Sequence, residues 1–388
     1  MTRRRIAIVT GSRAEYGLLY WPIRDLLAAS DFELQLIVTG MHLSPEFGLT
    51  VRDIERDGTP ISARVDMLVS SDTPGGIAKS MALGLIGFSD AIERLRPDAM
   101  LVLGDRFEIL AAAQAAMVHN VPLVHIAGGD TTEGAFDEAI RHAITKMAHL
   151  HLVTNEAARQ RVVQMGEDPR CVHIVGSPGL DHLRRQQLLD HAALETSLGQ
   201  PLGARNALVT FHPVTLEPAD GLRQQEELLA ALEALPEEWV LWFTLPNADT
   251  GGRGLAAALQ AWAKGRARVR VFASLGQLRY LSLMREADVV VGNSSSGLYE
   301  APSFQVPTID IGDRQRGRLA AASVLHCEPE RGAIREAINR ALALDCSGVQ
   351  NPYGDGRSAA RIVDALRAMP PAQSMLKKTF HMIEAARA

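Results

Sequence analysis

Four acids, Asp130, Glu133, Asp137 and Glu138, crowd into the stretch HIAGGDTTEGAFDEAIRHAITK (125–146), and Arg141, His142 and Lys146 follow directly. Carboxylates gathered beside bases are the residue types that general acid and base chemistry needs. A second set of the same character is GDRFE, with Asp105, Arg106 and Glu108, and a third is GSRAEYG, with Arg13 and Glu15. The later half of the chain carries a different kind of polar motif. FHPVT holds His212, FTLPNADTGGRG holds Asn247 and Asp249, GNSSSGLYE holds Ser294, Ser295, Ser296, Gly297 and Glu300, and IGDRQRGR holds Arg314, Arg316 and Arg318. A Ser- and Gly-rich turn opening a helix presents unpaired amides that suit a phosphate, and arginines complement its charge.

Each motif has a plainer reading. A serine after a strand caps a helix by satisfying free N–H groups. Asp137 and Glu138 would be favoured at a helix start by the dipole alone. The arginines of IGDRQRGR would serve as a solvated loop, and His212, between a strand and Pro213, as a packing histidine. What favours chemistry is position: all these motifs follow apolar strand-like runs, so they gather at one end of their sheets.

The runs that must position them are short, apolar and rich in β-branched residues. In the first half they are RIAIVT (5–10), LQLIVT (34–39), AMLVLG (99–104), PLVHIA (122–127), LHLVTN (150–155) and VHIVGS (172–177). The second half repeats the plan at 206–211, 239–244, 269–274, 287–293, 307–312 and 323–328. Helix-like segments lie between them, so the pattern predicts parallel sheets covered on both faces. The expected fold is α/β: two doubly wound Rossmann-like domains facing across a cleft. Their expected extents are 1–181 and 206–368, joined by a charged junction over 182–205 and followed by a last helix over 369–388. Sheets of this kind take ligands beyond the carboxyl ends of their strands.

At 388 residues two domains are the natural expectation, and 47% hydrophobic with 22% charged residues suits a packed globular chain. A net charge of −5 gives no electrostatic reason to expect nucleic acid as a partner. Arg3-Arg4-Arg5 precedes an apolar run too short for a signal peptide, and no stretch has the length of a membrane span. The expectation is a cytoplasmic protein with no membrane partner. Three scattered cysteines do not form a disulfide framework, and the histidines lack zinc-ligand spacing, so no metal or cofactor is proposed. GRGLAA (252–257) imitates a dinucleotide-binding turn but lies well past its strand.

Together GSRAEYG, GDRFE, GGDTTEGAFDEAIRHAITKMAH, GSPGLD, HPVT, PNADTGG, GNSSSGLYEAPSF, DIGDRQRGR and NPYGDGR resemble the UDP-N-acetylglucosamine 2-epimerases, and most closely their hydrolysing branch. The resemblance implies the two-Rossmann arrangement called GT-B, a nucleotide-sugar substrate and a homodimer or homotetramer. It implies anti elimination of the nucleotide across carbons 1 and 2 to a 2-acetamidoglucal, then water addition that releases N-acetylmannosamine and UDP. UDP-diacetylbacillosamine or a GDP-linked sugar would be alternative substrates. A non-hydrolysing epimerase, a GT-B glycosyltransferase and a non-catalytic sensor are the other readings. By resemblance Asp105 and Asp137 would be catalytic carboxylates, His212 would bond the leaving phosphate, and Arg13 and Arg314 would contact the diphosphate. Ser294 and Ser295, with Ser296 and Gly297 beside them, would cradle phosphates, and Glu300 would hold the ribose. Arg106, Glu138, Arg141, His142, Asn247 and Arg318 would be further substrate contacts. Ala127 stands where several relatives have a catalytic glutamate, so Asp130 is expected to share that acid–base work.

Overall fold

In a computed structural model of the chain, the described residues are 3–383 apart from 70, 72, 132–135, 213–220 and 246–251; for Phe136, Gly252 and Arg253 the description extends to the backbone alone. The chain divides into two compact units, one formed by 1–182 with 353–388 and the other by 183–352.

The first unit is built on seven parallel strands: β1 (Arg4–Thr10), β2 (Phe32–Thr39), β3 (Ile61–Val65), β4 (Ala99–Leu103), β5 (Leu123–Ile126), β6 (Leu150–Val153) and β7 (Val172–Ile174). Their order is β3-β2-β1-β4-β5-β6-β7. Successive residues of a strand point to opposite faces, and here both faces are covered. Ile6 and Ile8 join one core with Leu36 and Leu101, while Ala7 and Val9 join another with Ile37, Met100 and Val102. That explains why the strands read as unbroken apolar runs. The strand the sequence reading omits is β3, a short edge strand whose Ser62 and Arg64 interrupt the apolar signal.

The second unit has six parallel strands: β8 (Arg205–Thr210), β9 (Trp239–Thr244), β10 (Val269–Phe272), β11 (Val289–Gly292), β12 (Thr308–Ile311) and β13 (Val324–Cys327), in the order β10-β9-β8-β11-β12-β13. Both units are therefore doubly wound α/β sheets. Each reverses its winding once, at β1/β4 in the first and β8/β11 in the second, and that reversal opens a crevice at the carboxyl edge.

Two expectations about the chain's course differ from the structure. The second domain was expected to run to 368, but Tyr353 onward groups with the first unit. The cause is a remote cap: the buried Asp181 carboxylate accepts from the backbone N–H groups of Ser358 and Ala359, both at 2.8 Å, at the start of the helix Ser358–Ala368. Ile362, Val363 and Leu366 of that helix then pack into the first core. The tail over 369–388 is not one helix either, since only Ala372–Met375 is helical in its described part. Lys378 instead bonds the carbonyls of Lys146 and Ala148, a tertiary contact that displaces local helix formation. The junction over 182–205 belongs mostly to the second unit, where Leu194 and Leu198 are core residues.

Candidate functional site

The first unit's acids assemble around Arg141. This residue is carried on the helix Phe136–Met147 and is 7% exposed. One guanidinium nitrogen donates to the Asp105 carboxylate just after β4, and another donates at 2.7 Å to the backbone carbonyl of Asp130 just after β5. Glu138, one turn earlier, lies 3.9 Å from the same guanidinium and 3.4 Å from His142. The Asp130 side chain is fixed separately by Thr154, which donates to it at 2.8 Å. Partial burial and then the Asp105 charge raise the pKa of Asp137, against the pull of Arg106 and Arg141. Arg106 is tied by its Nε–H to Glu108 at 2.6 Å. Arg13 opens the helix Arg13–Ala28, which Ser12 caps by accepting from Glu15 N–H, and its side chain is exposed.

Backbone constraints hold these loops in place. His125 is buried and bridges the two strand ends, Nε2 to the Gly104 carbonyl at 2.8 Å and Nδ1 to Thr145 at 3.2 Å. Burial pushes its pKa down to about 3, so it is a neutral strut. Gly129 has φ +77°, and a Cβ there would lie 2.5 Å from the Ala158 carbonyl, so glycine is required where the chain turns into Asp130. Ala127 adopts φ +61° without that excuse, a strained conformation at the entrance to the acid cluster.

In the second unit the strand ends carry donors and hydroxyls. Gly292 ends β11 at φ +138°, where any side chain would collide with the Thr210 carbonyl. Asn293 follows, fully buried, and its carbonyl accepts from Arg314 at 3.1 Å and Gln315 at 2.8 Å. Its side chain exchanges hydrogen bonds with the backbone of His212, which is itself buried. Ser294 and Ser296 lie 3.1 Å apart through their hydroxyls, and Tyr280 reaches Ser296 at 2.6 Å. Arg318 bonds Gln315 at 2.8 Å and stacks over Tyr299. Gly297 leaves no room for a Cβ against Thr308, whose hydroxyl bonds the Gly297 carbonyl at 3.0 Å. Burial pushes the Glu300 carboxyl up to about 8, and its Oε2 is enclosed with no partner among the described residues. The helix behind the serines, Ser296–Tyr299, has only four residues, so its dipole adds little to anion binding.

The candidate residues thus fall into two sets. Asp105, Asp130, Asp137, Glu138, Arg141 and His142, with Arg106 alongside, meet at one strand edge; His212, Ser294, Ser295, Ser296, Gly297, Glu300, Arg314 and Arg318 meet at another. Asn247 lies outside the described residues. Missed by sequence reading were His125, Thr154, Tyr280, Asn293 and Gln315. Asn293 carried a signal, its place inside GNSSSG directly after a strand, and His125 and Gln315 stand inside the HIAGGD and IGDRQRGR stretches. Among the described residues no group of three His, Cys, Asp or Glu could hold a metal ion, and no helix is long and apolar enough to cross a membrane.

Comparison with known proteins gives a consistent picture. A family model described as UDP-N-acetylglucosamine 2-epimerase matches residues 24–367. The chain is 40% identical over 329 residues to the GDP/UDP-N,N'-diacetylbacillosamine 2-epimerase (hydrolyzing) of Campylobacter jejuni, covering 84% of this chain and 85% of the relative. It is 34% identical over 375 residues to the UDP-N,N'-diacetylbacillosamine 2-epimerase (hydrolyzing) of Legionella pneumophila, covering 97% and 98%. Among solved structures, the UDP-GlcNAc 2-epimerase of Neisseria meningitidis is similar with a TM-score of 0.77 over 94% of this chain and all of that one; at 18% identity this likeness speaks to fold.

Proposed function

Because the chain belongs to the UDP-N-acetylglucosamine 2-epimerase family, we propose that it is a hydrolysing 2-epimerase of a nucleotide-linked 2-acetamido sugar. The names of the relatives at 40% and 34% identity favour UDP- or GDP-N,N'-diacetylbacillosamine as the substrate. UDP-N-acetylglucosamine, which the motifs alone put first, is the second reading, and the family description favours it.

The observation that carries the reading is the Asp105–Arg141–Asp130 constellation with Asp137 beside it. Elimination needs a base to take the carbon 2 proton while the bond from carbon 1 to the diphosphate oxygen breaks. Hydration of the resulting glycal then needs a proton returned to carbon 2 as water oxygen bonds carbon 1. Two carboxylates in different surroundings suit this division. Asp105, paired with Arg141, is assigned with Asp130 to proton abstraction and return. Asp137, raised by burial and by Asp105, holds a proton more readily and is assigned to the leaving oxygen or the incoming water.

The second set is assigned to the nucleotide. Arg314, His212 and the serine hydroxyls and amides supply donors where negative charge builds on the departing diphosphate. The enclosed Glu300 oxygen awaits a hydroxyl pair, which a ribose provides.

The test is incubation with each of the three nucleotide sugars in deuterated water. Release of nucleoside diphosphate and of a free 2-epimerised sugar carrying deuterium at carbon 2 is expected for one of them. Stable nucleotide sugar with protium at carbon 2 in all three would refute the proposal.

A further inference from the structure

Two glutamates that the mechanism above does not use lie buried behind Arg106. Glu15, in the first turn of the helix after β1, is 5% exposed, and Glu108, in the first turn of the helix after β4, is fully buried. Both converge on Gly11. Glu15 Oε2 accepts the Gly11 N–H at 2.8 Å, and a Cβ at Gly11 would lie 2.7 Å from Glu108 Oε1. Glu108 Oε1 accepts from Arg106 Nε at 2.6 Å. This leaves one oxygen on each carboxyl, Glu15 Oε1 and Glu108 Oε2, enclosed and with no partner among the described residues.

Two buried carboxyls that meet the same glycine beside a single guanidinium cannot both remain charged without a large cost, and each keeps an enclosed oxygen on which a proton can reside. We propose that Glu15 and Glu108 share one proton, so that the pair carries a single negative charge that matches and aims the Arg106 guanidinium. Burial first, and the Glu108 charge second, push the Glu15 carboxyl up to about 8, which agrees with the proton residing there at neutral pH. The other titratable groups nearby do not replace this role. His42 bonds Thr10 and Thr50 and is held neutral by burial at about 4, Tyr16 bonds Asp57 and Thr59, and Asp137 acts on Arg106. Gly11 is required by the packing, since a side chain there would displace Glu108. Glu15 and Glu108 are positioning residues. The aiming of Arg106 at substrate rests on the function proposed above; the shared proton does not.

The test uses Glu15→Gln, whose amide copies a protonated carboxyl and whose oxygen can still accept from Gly11. Thermal unfolding of wild type and variant is followed from pH 4 to 9, with infrared difference spectra at neutral pH. Expected are midpoints within about 2 °C of each other below pH 4.5, a variant that gains steadily on wild type as the pH rises from there to about 8 and stays the more stable of the two beyond it, and loss of a carboxylic acid C=O band. Glu108→Gln, which sets an amide against Arg106, should raise KM for the nucleotide sugar about tenfold. Uniform destabilisation of Glu15→Gln at every pH, failure of that variant to fold, or loss of a carboxylate band alone would each overturn the shared proton. The unfolding and infrared readouts need no substrate, so their failure is separate from failure of the proposed activity. An unchanged KM in Glu108→Gln would overturn the aiming of Arg106 alone.

Discussion

Asn293 is cross-linked to His212 as though it were a strand neighbour: its Oδ1 accepts the His212 N–H at 2.7 Å and its Nδ2–H donates to the His212 carbonyl at 2.9 Å. Since its backbone carbonyl also receives Arg314, one buried residue registers both proposed diphosphate contacts, His212 through its side chain and Arg314 through its main chain. Asn293→Asp keeps the shape but removes the donor and buries a charge, so it should unfold more easily and bind nucleotide poorly. Asn293→Ala should lower kcat/KM about 10²-fold, the cost of losing two buried hydrogen bonds and the alignment they give. Calorimetric titration with UDP and GDP, beside kinetics, separates lost binding from lost turnover.

Arg141 provides the corresponding link in the first unit. Arg141→Lys retains charge but not the fork that reaches both Asp105 and the Asp130 carbonyl. Turnover should fall about 10²–10³-fold with little change in nucleotide affinity, because the residue orders the acids and not the diphosphate. Asp130→Asn should fall by at least tenfold for the same chemical step. Deuterium exchange at carbon 2, read by NMR, reports that step directly.

The pH dependence follows from Asp137. Its pKa is raised by burial and by the Asp105 charge, so an acid role predicts that kcat/KM declines as the pH rises through that shifted value and Asp137 loses its proton. Asp137→Asn should abolish that limb and reduce turnover about 10²–10⁴-fold. A limb unchanged in the variant would move the acid role elsewhere.

Much of this was legible before any coordinates. Strands buried on both faces produce apolar runs that stand out in a sequence, and parallel winding forces their polar sequels to one edge; the place of Asp105, Asp137, His212 and Ser294 beyond the strand ends was readable for that reason. Position along the chain cannot reveal a partner chosen by the fold. Tyr280 meets Ser296, and Asp181 caps a helix that begins at Ser358, only because sheets bring distant segments together. β3 was hidden by its edge position, where only two of its five residues are buried. The tail misled because helix propensity is weak against a specific anchor.

That anchor is Glu167, 2% exposed. Burial would raise its pKa, but hydrogen bonds from His151, Lys146 and Lys378 overcome that and bring it down to about 2. The Lys378 ammonium lies 2.7 Å from Oε2 and ties the tail to the end of the sheet. A carboxyl whose folded pKa lies below its unfolded value stabilises the protein above the unfolded value, near 4.5. That contribution is lost as pH falls from there toward 2. Burial lowers the pKa of His151, so protonation of the unfolded chain destabilises the fold in the same direction, beginning below about pH 6.5. Glu167→Gln should therefore cost about 2–4 kcal/mol at pH 7, less than breaking a fully enclosed pair because Lys146 is partly exposed. The cost should shrink as the pH approaches 3, where wild type has lost part of the same contribution. Lys378→Ala should cost less yet expose the tail, giving early proteolytic cleavage after Lys377 while the sheet persists. Chemical denaturation at pH 3, 5 and 7, with limited trypsin digestion, reads both; a constant penalty across that range would rule out the ion cluster as its source.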